Sequence, residues 1–249
     1  MQTNAVGIGT ILDDLPPVHV GNNYHRPTCE LCDDLGWIIE RDARGRSVTR
    51  PCSCGLSVKT QERRLFERAY IPKLPTPFTP CDVARRYVET VKELPRQSNW
   101  ILFSGRAGSG KTSNASWIAV EYITRYREQV KFYPAYAITR KIATTKGDAR
   151  FDLVDSVVGA PLAVFDDLLK TFPRTDSYQY SDFFEATLEV LWGRYEKKLP
   201  TVITTQRNFS ELTTFDAALA GRIAESCGDR VVLFDRNSRN WRLDNGRRI

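Results

Sequence analysis

With 249 residues, 41% of them hydrophobic and 27% charged, the chain can hold one α/β domain with a small appendage, and its composition excludes a wholly disordered tail. No apolar run approaches the ~18 residues needed to span a bilayer, and the start of the chain, with Asp13 and Asp14, lacks a basic-then-apolar signal layout; a cytoplasmic protein with no membrane partner is expected. The formal net charge of +6 leans towards an anionic partner, with basic residues collected at 41–50, 59–68 and 236–248.

Residues 1–25 scatter Gly, Pro and Asn among short apolar stretches and read as an irregular arm. Residues 26–56 hold four of the six cysteines as two tight pairs, Cys29-Glu-Leu-Cys32 and Cys52-Ser-Cys54, with nineteen residues between them. Those nineteen include Trp37-Ile-Ile, a turn at 43–45 and Ser47-Val-Thr, a hairpin pattern that brings the second pair back to the first. Disulfides are not expected in a cytosolic chain. Four thiolates make a closed tetrahedral site, which suits structural zinc and leaves no open position for catalysis. A module this small has little core, so the metal supplies much of its folding energy. Cys81 and Cys227 read as small core residues.

Residues 57–80 comprise a basic helix, 58–69, and then Ile71-Pro-Lys-Leu-Pro-Thr-Pro-Phe-Thr-Pro, whose four prolines cannot continue it. The main domain is expected over 81–249. Its periodicity predicts helices over 83–93, over 112–126 with Ala115, Ala119, Tyr122 and Tyr126 on one face, over 135–144, and around Phe184, Leu188, Leu191 and Tyr195. Apolar or β-branched runs predict strands at 100–104, 130–133, 161–165, 201–205 and 231–234. Strands separated in this way imply parallel pairing in a doubly wound α/β sheet, with ligands at the carboxyl ends of its strands.

Between the first of those strands and its helix, Gly105-Arg106-Ala107-Gly108-Ser109-Gly110-Lys111-Thr112 is a complete Walker A loop. Its glycines permit the turn, its amides surround phosphate oxygens, Lys111 neutralises the β- and γ-phosphates, and the Thr112 hydroxyl ligates Mg²⁺. Leu162-Ala-Val-Phe-Asp166-Asp167 supplies the acid that a magnesium-dependent NTPase needs: Asp166 faces the metal and Asp167 can orient the attacking water. Thr201-Val-Ile-Thr-Thr-Gln206 ends beside the loop. Gln206 is either a polar strand end or a contact to the γ-phosphate or the water. A helix with the buried stripe Phe215, Leu219 and Ile223 carries Arg222. That arginine is either solvated or a finger that reaches the γ-phosphate of a neighbouring subunit.

The chain resembles the DnaC/DnaI-type helicase loaders and the related transposition helper IstB, all AAA+ ATPases, over residues 28–245. Cys29-Glu-Leu-Cys-Asp-Asp-Leu-Gly-Trp with Arg50-Pro-Cys-Ser-Cys, the Walker A loop, Val164-Phe-Asp-Asp-Leu, Arg194-Tyr with Pro200-Thr-Val-Ile-Thr-Thr, and Asn240-Trp-Arg-Leu carry the resemblance. It implies a P-loop AAA+ sheet with a zinc ribbon and ATP bound between self-assembling subunits. It also implies contact with single-stranded DNA and action on a replicative DNA helicase in DNA replication. Asp166 and Asp167 match the family's Walker B pair, and Arg222 matches its arginine finger. Gln206 stands where the family usually has Asn, and only residues 1–25 precede the zinc module, where the family carries helicase-binding helices. The expected function is an ATPase that loads or remodels a helicase. A transposition helper acting on duplex DNA, and a zinc-ribbon adaptor whose nucleotide site switches with little hydrolysis, are the alternatives.

Overall fold

A computed structural model of the chain describes residues 29, 31–32, 37–41, 47–170 and 178–234. The arm at 1–25, the turn at 43–45, the basic stretch at 236–248 and the ending around Trp241 lie outside the described residues. The chain divides into two compact units, Met1–Ser57 and Val58–Ile249.

In the first unit, β1 (Trp37–Arg41) and β2 (Ser47–Pro51) pair antiparallel, with Trp37 opposite Pro51 and Arg41 opposite Ser47. Cys29 and Cys32 precede this ladder, and Cys52 and Cys54 follow it directly.

The second unit is built on five parallel strands in the order β4-β5-β6-β3-β7. These are β3 (Trp100–Gly105), β4 (Val130–Pro134), β5 (Leu162–Leu168), β6 (Thr201–Thr205) and β7 (Val231–Phe234). Side chains alternate across the sheet, so each strand feeds two cores. Trp100, Leu102, Ala163, Phe165 and Ile203 face one layer; Ile101, Phe103, Leu162, Val164 and Val202 face the other. Burial on both faces is why these strands read as continuous apolar runs.

The first layer is covered by α4 (Ala135–Thr144), α5 (Asp148–Val158), α6 (Tyr178–Glu196), α7 (Phe209–Phe215) and α8 (Ala217–Cys227). The second is covered by the end of α1 (Leu56–Ala69), α2 (Asp82–Thr90) and α3 (Lys111–Tyr126). Among the described residues, no helix is long and apolar enough to cross a membrane.

Three features depart from the expected elements. Helix α5 was not expected, because only Val157 and Val158 of its eleven residues are buried and its period is weak. Phe215, Leu219 and Ile223 do not share one helix. Asp216 between them is extended at φ −160° and ψ 112°, and its carboxylate accepts from the Leu219 amide as the N-cap of α8. Strand β5 runs past Phe165 to Leu168 through an irregularity in its pairing with β6.

A buried arginine ties the lower edge of the sheet to the helices. Arg194 of α6 is fully buried. Its guanidinium donates to the carbonyls of Val157 (3.2 Å), Val158 (3.0 Å), Ala160 (2.9 Å) and Pro200 (2.5 Å) and to Thr201 Oγ1 (2.9 Å). Burial pulls it down to about 10, still well above neutrality, so the cation persists and the fork of donors closes the ends of α5 and β6.

Candidate nucleotide site and metal centre

The carboxyl ends of β3, β5 and β6 converge. Because β6 lies between β5 and β3, its last residues separate and bridge the phosphate loop and the acidic pair. Gly105, at φ 137°, ends β3 where a Cβ would stand 2.2 Å from the Phe234 carbonyl oxygen, so no side chain fits beneath the loop. Gly110, at φ 94°, turns the chain into α3 in a left-handed conformation that glycine adopts without strain. The loop amides and the N-terminus of this 16-residue helix then face the same space, an arrangement that favours anions.

Lys111 is 5% exposed, and its ammonium donates to the carbonyls of Gly105 (2.8 Å) and Arg106 (2.7 Å). Ser109 Oγ donates to the Arg106 carbonyl at 2.9 Å, which closes the loop on itself. Asn114 anchors the first turn of α3: its amide donates to the Gly110 carbonyl, and its side-chain oxygen accepts from the Cys81 amide at 2.9 Å. Arg106 and Ala107 lie in the loop itself, between β3 and Gly108.

The Thr112 hydroxyl donates to Asp166 Oδ1 at 2.9 Å. That spacing equals the separation of neighbouring ligands around an octahedral Mg²⁺ with bonds of about 2.0–2.1 Å, so this oxygen pair fits the ion. Burial pushes the Asp166 carboxyl up, and the hydroxyls of Thr204 and Thr112 partly offset this. A divalent cation bound there would compensate the same burial.

Asp167 is held differently. It lies at φ 58°, and Leu169 two residues on is also at φ 58°, left-handed positions that cost a non-glycine residue about 1–2 kcal/mol each. Its amide donates to Thr204 Oγ1 at 2.9 Å. Its carboxylate accepts from the Lys170 ammonium on Oδ2 (2.7 Å) and faces Gln206 Nε2 on Oδ1 at 3.4 Å. Gln206 thus lies next to the acidic pair.

Arg222, on α8, lies over two rings of α6, with its guanidinium carbon 4.9 Å from the centre of Trp192 and 5.6 Å from that of Tyr195. It also donates to the Ala218 carbonyl at 3.3 Å. Among the described residues, Arg222 makes no contact to Lys111, Asp166 or Asp167 within the chain. Thr204 and Lys170 were missed by sequence reasoning. The run of hydroxyls at the end of β6 was the available signal for Thr204. Lys170 had none, since its pairing depends on the left-handed turn.

In the first unit the four sulfurs of Cys29, Cys32, Cys52 and Cys54 all lie within 4.8 Å of one another. Cys29 Sγ stands 3.6 Å from Cys52 Sγ, and Cys32 Sγ stands 3.7 Å from Cys54 Sγ. A tetrahedral zinc with bonds of about 2.3 Å sets its sulfurs about 3.8 Å apart, so the four thiols fit that ion. The Cys54 amide, directed at the Cys52 sulfur, pulls that thiol down to about 7 and favours the thiolate a metal requires.

A parallel five-stranded sheet with a phosphate loop after β3 and an acidic pair on β5 is an AAA+-type P-loop fold, and the cysteine cluster in front of it fits a zinc ribbon. No family model matches the chain. The uncharacterized protein YqaM of Bacillus subtilis (strain 168) is 29% identical over 168 residues, which is 63% of this chain and 50% of YqaM. The phage-like element PBSX protein XkdC of the same organism is 24% identical over 244 residues, which is 90% of this chain and 87% of XkdC. The match with YqaM thus spans half of that protein. Among solved structures, the replication initiator DnaA bound to AMPPCP and single-stranded DNA is 15% identical with a TM-score of 0.50, over 67% of this chain and 49% of that one. DnaI is 20% identical with a TM-score of 0.49, over 72% and 98%. The DnaC helicase loader is 16% identical with a TM-score of 0.44, over 70% and 99%. At 15% identity the likeness to DnaA is one of fold alone.

Proposed function

We propose that the chain is an ATPase that loads or remodels a replicative DNA helicase, with ATP-Mg²⁺ bound at the loop 105–112 and single-stranded DNA as a second ligand. The observation that carries the nucleotide reading is the convergence of Lys111, Thr112 and Asp166 at the ends of adjoining elements, with Thr112 and Asp166 2.9 Å apart. In this reading Gly105, Arg106, Ala107, Gly108, Ser109, Gly110 and Lys111 hold the phosphates, and Thr112 and Asp166 hold Mg²⁺. The ion screens the charge of the phosphates. Asp167 orients the attacking water with Gln206 beside it, and Arg222 reaches the site of a neighbouring subunit in a self-assembled ring or filament. Cys29, Cys32, Cys52 and Cys54 hold a structural zinc.

The helicase and DNA parts rest on the family resemblance and on surface chemistry. Segment 135–158 exposes Arg140, Lys141 and Lys146, together with the exposed rings of Tyr136 and Phe151. Cations that follow a backbone and rings on which bases stack are what single strands require. One specific observation favours a second reading, a nucleotide-switched adaptor with little hydrolysis: the Asp167 carboxylate is already engaged by Lys170.

The test is ATP binding and Mg²⁺-dependent turnover of wild type and Lys111→Ala, followed by co-purification with the cognate hexameric helicase with and without ATP. Loss of binding in Lys111→Ala and ATP-dependent capture of the helicase are expected. Failure to capture the helicase in either condition overturns the loader reading. Nucleotide affinity that is unchanged in Lys111→Ala overturns the site.

A further inference from the structure

Asp167 is the carboxylate to which the reading above gives the attacking water, and both of its oxygens have partners. Oδ2 accepts from the Lys170 ammonium at 2.7 Å, and Oδ1 faces the Gln206 amide at 3.4 Å. The Lys170 contact is a product of backbone shape. Asp167 and Leu169 are both left-handed, and the Lys170 amide closes the turn onto the Asp167 carbonyl at 3.2 Å. The lysine stem therefore folds back over the residue three positions before it. Among the described residues, Asp167 is the partner the structure gives to the Lys170 ammonium.

We propose that Lys170 is a positioning residue that restrains ATP hydrolysis by holding the Asp167 carboxylate out of use. The inference rests on the reading of Asp167 as the hydrolytic carboxylate. In the step concerned, a water oxygen bonds to the γ-phosphorus as the bond from that phosphorus to the β–γ bridging oxygen breaks. ADP leaves with that oxygen, and the water's proton passes to Asp167 and then to solvent. The carboxylate oxygen held by the Lys170 ammonium is not free to accept a hydrogen bond from the water, so the ion pair must open before the water can be turned. The pair is accessible enough to open: the side chains of Lys170 and Asp167 are 44% and 30% exposed. An effector that offers Lys170 a different anion, such as a phosphate of bound nucleic acid, releases Asp167 by competition.

The test uses the full chain and compares wild type, Lys170→Ala, Lys170→Arg and Lys170→Ala/Asp167→Asn for ATP affinity, KM and kcat. Lys170→Ala is expected to raise kcat about two- to fivefold, the factor that opening one partly exposed ion pair supplies, with KM within about twofold of wild type. Lys170→Arg, which keeps a cation at similar reach, restores the wild-type rate, and Asp167→Asn removes the gain. A Lys170→Ala rate at or below wild type overturns the proposal, as does a gain that survives Asp167→Asn. Should wild type bind ATP without measurable turnover, Lys170→Ala must bring turnover into range or the proposal fails. Absence of ATP binding by wild type overturns the nucleotide site instead, so the two failures are distinct.

Discussion

The Thr204 hydroxyl donates to Asp166 Oδ1 at 2.6 Å. Thr204 Oγ1 in turn accepts from the Asp167 amide at 2.9 Å, so one side chain of β6 sets the position of both acidic residues of β5. Thr204→Val keeps the shape and removes both bonds, leaving the half-buried Asp167 N–H without its hydroxyl partner. A loss of about 1–3 kcal/mol in urea unfolding is expected, with ATP turnover falling while Thr204→Ser retains most of it. A Thr204→Val midpoint equal to wild type would falsify this role.

Asp166 makes stability depend on pH with a definite sign. Burial raises its carboxyl, so the folded state holds the proton more tightly than the unfolded chain. Stability contributed by the protonated form is complete below the ordinary carboxylate value of about 3.9 and is lost as pH rises through the raised folded value. At neutral pH the buried negative charge is thus a cost. Asp166→Asn, whose amide oxygen still accepts from Thr112 and Thr204, should melt higher than wild type at pH 7 in EDTA. It should also show a flatter melting profile over acidic pH and lose the Mg²⁺ contribution to nucleotide affinity. A variant that melts lower than wild type at pH 7 contradicts the assignment.

Arg194 serves five acceptors from one buried guanidinium. Arg194→Leu leaves four carbonyls without that donor and should cost about 3–5 kcal/mol, enough to unfold a marginal domain. Arg194→Lys keeps the charge but not the planar fork, and should recover part of the loss. Equal stabilities for the lysine variant and wild type would show that charge alone suffices.

The cysteine cluster predicts one zinc per chain, measurable by release with a mercurial and a colorimetric indicator. Cys52→Ser should lower that content, because it removes the thiol already biased towards the thiolate, and strong chelation should open the strands Trp37–Arg41 and Ser47–Pro51 to trypsin. Full protease resistance after zinc removal would mean that the hairpin folds without metal.

Much of this was legible from residue order, for reasons that are local. The loop 105–112 declares itself because a phosphate-binding turn needs glycines, a lysine and a hydroxyl at fixed offsets within eight residues. The strands declare themselves because burial on both faces produces runs such as Trp100-Ile-Leu-Phe. Cys29, Cys32, Cys52 and Cys54 were legible as a set because metal geometry constrains spacing within each pair. Helix α5 escaped because two buried valines give too little period, and the break at Asp216 escaped because the stripe of Phe215, Leu219 and Ile223 continues across it.

By itself the sequence determined which residues are candidates for phosphate and metal chemistry and that their strands would be parallel. Tertiary structure alone decided the order β4-β5-β6-β3-β7, which inserts Thr204 between a loop and an acidic pair that are respectively some ninety and forty residues before it. It also decided the left-handed turn that sets Lys170 on Asp167, and the placement of Arg222 over Trp192 and Tyr195. The physical reason is the same in each case. Strand neighbours, positive φ at a non-glycine residue and ring contacts are chosen by packing between segments distant in the chain, and no local pattern encodes them.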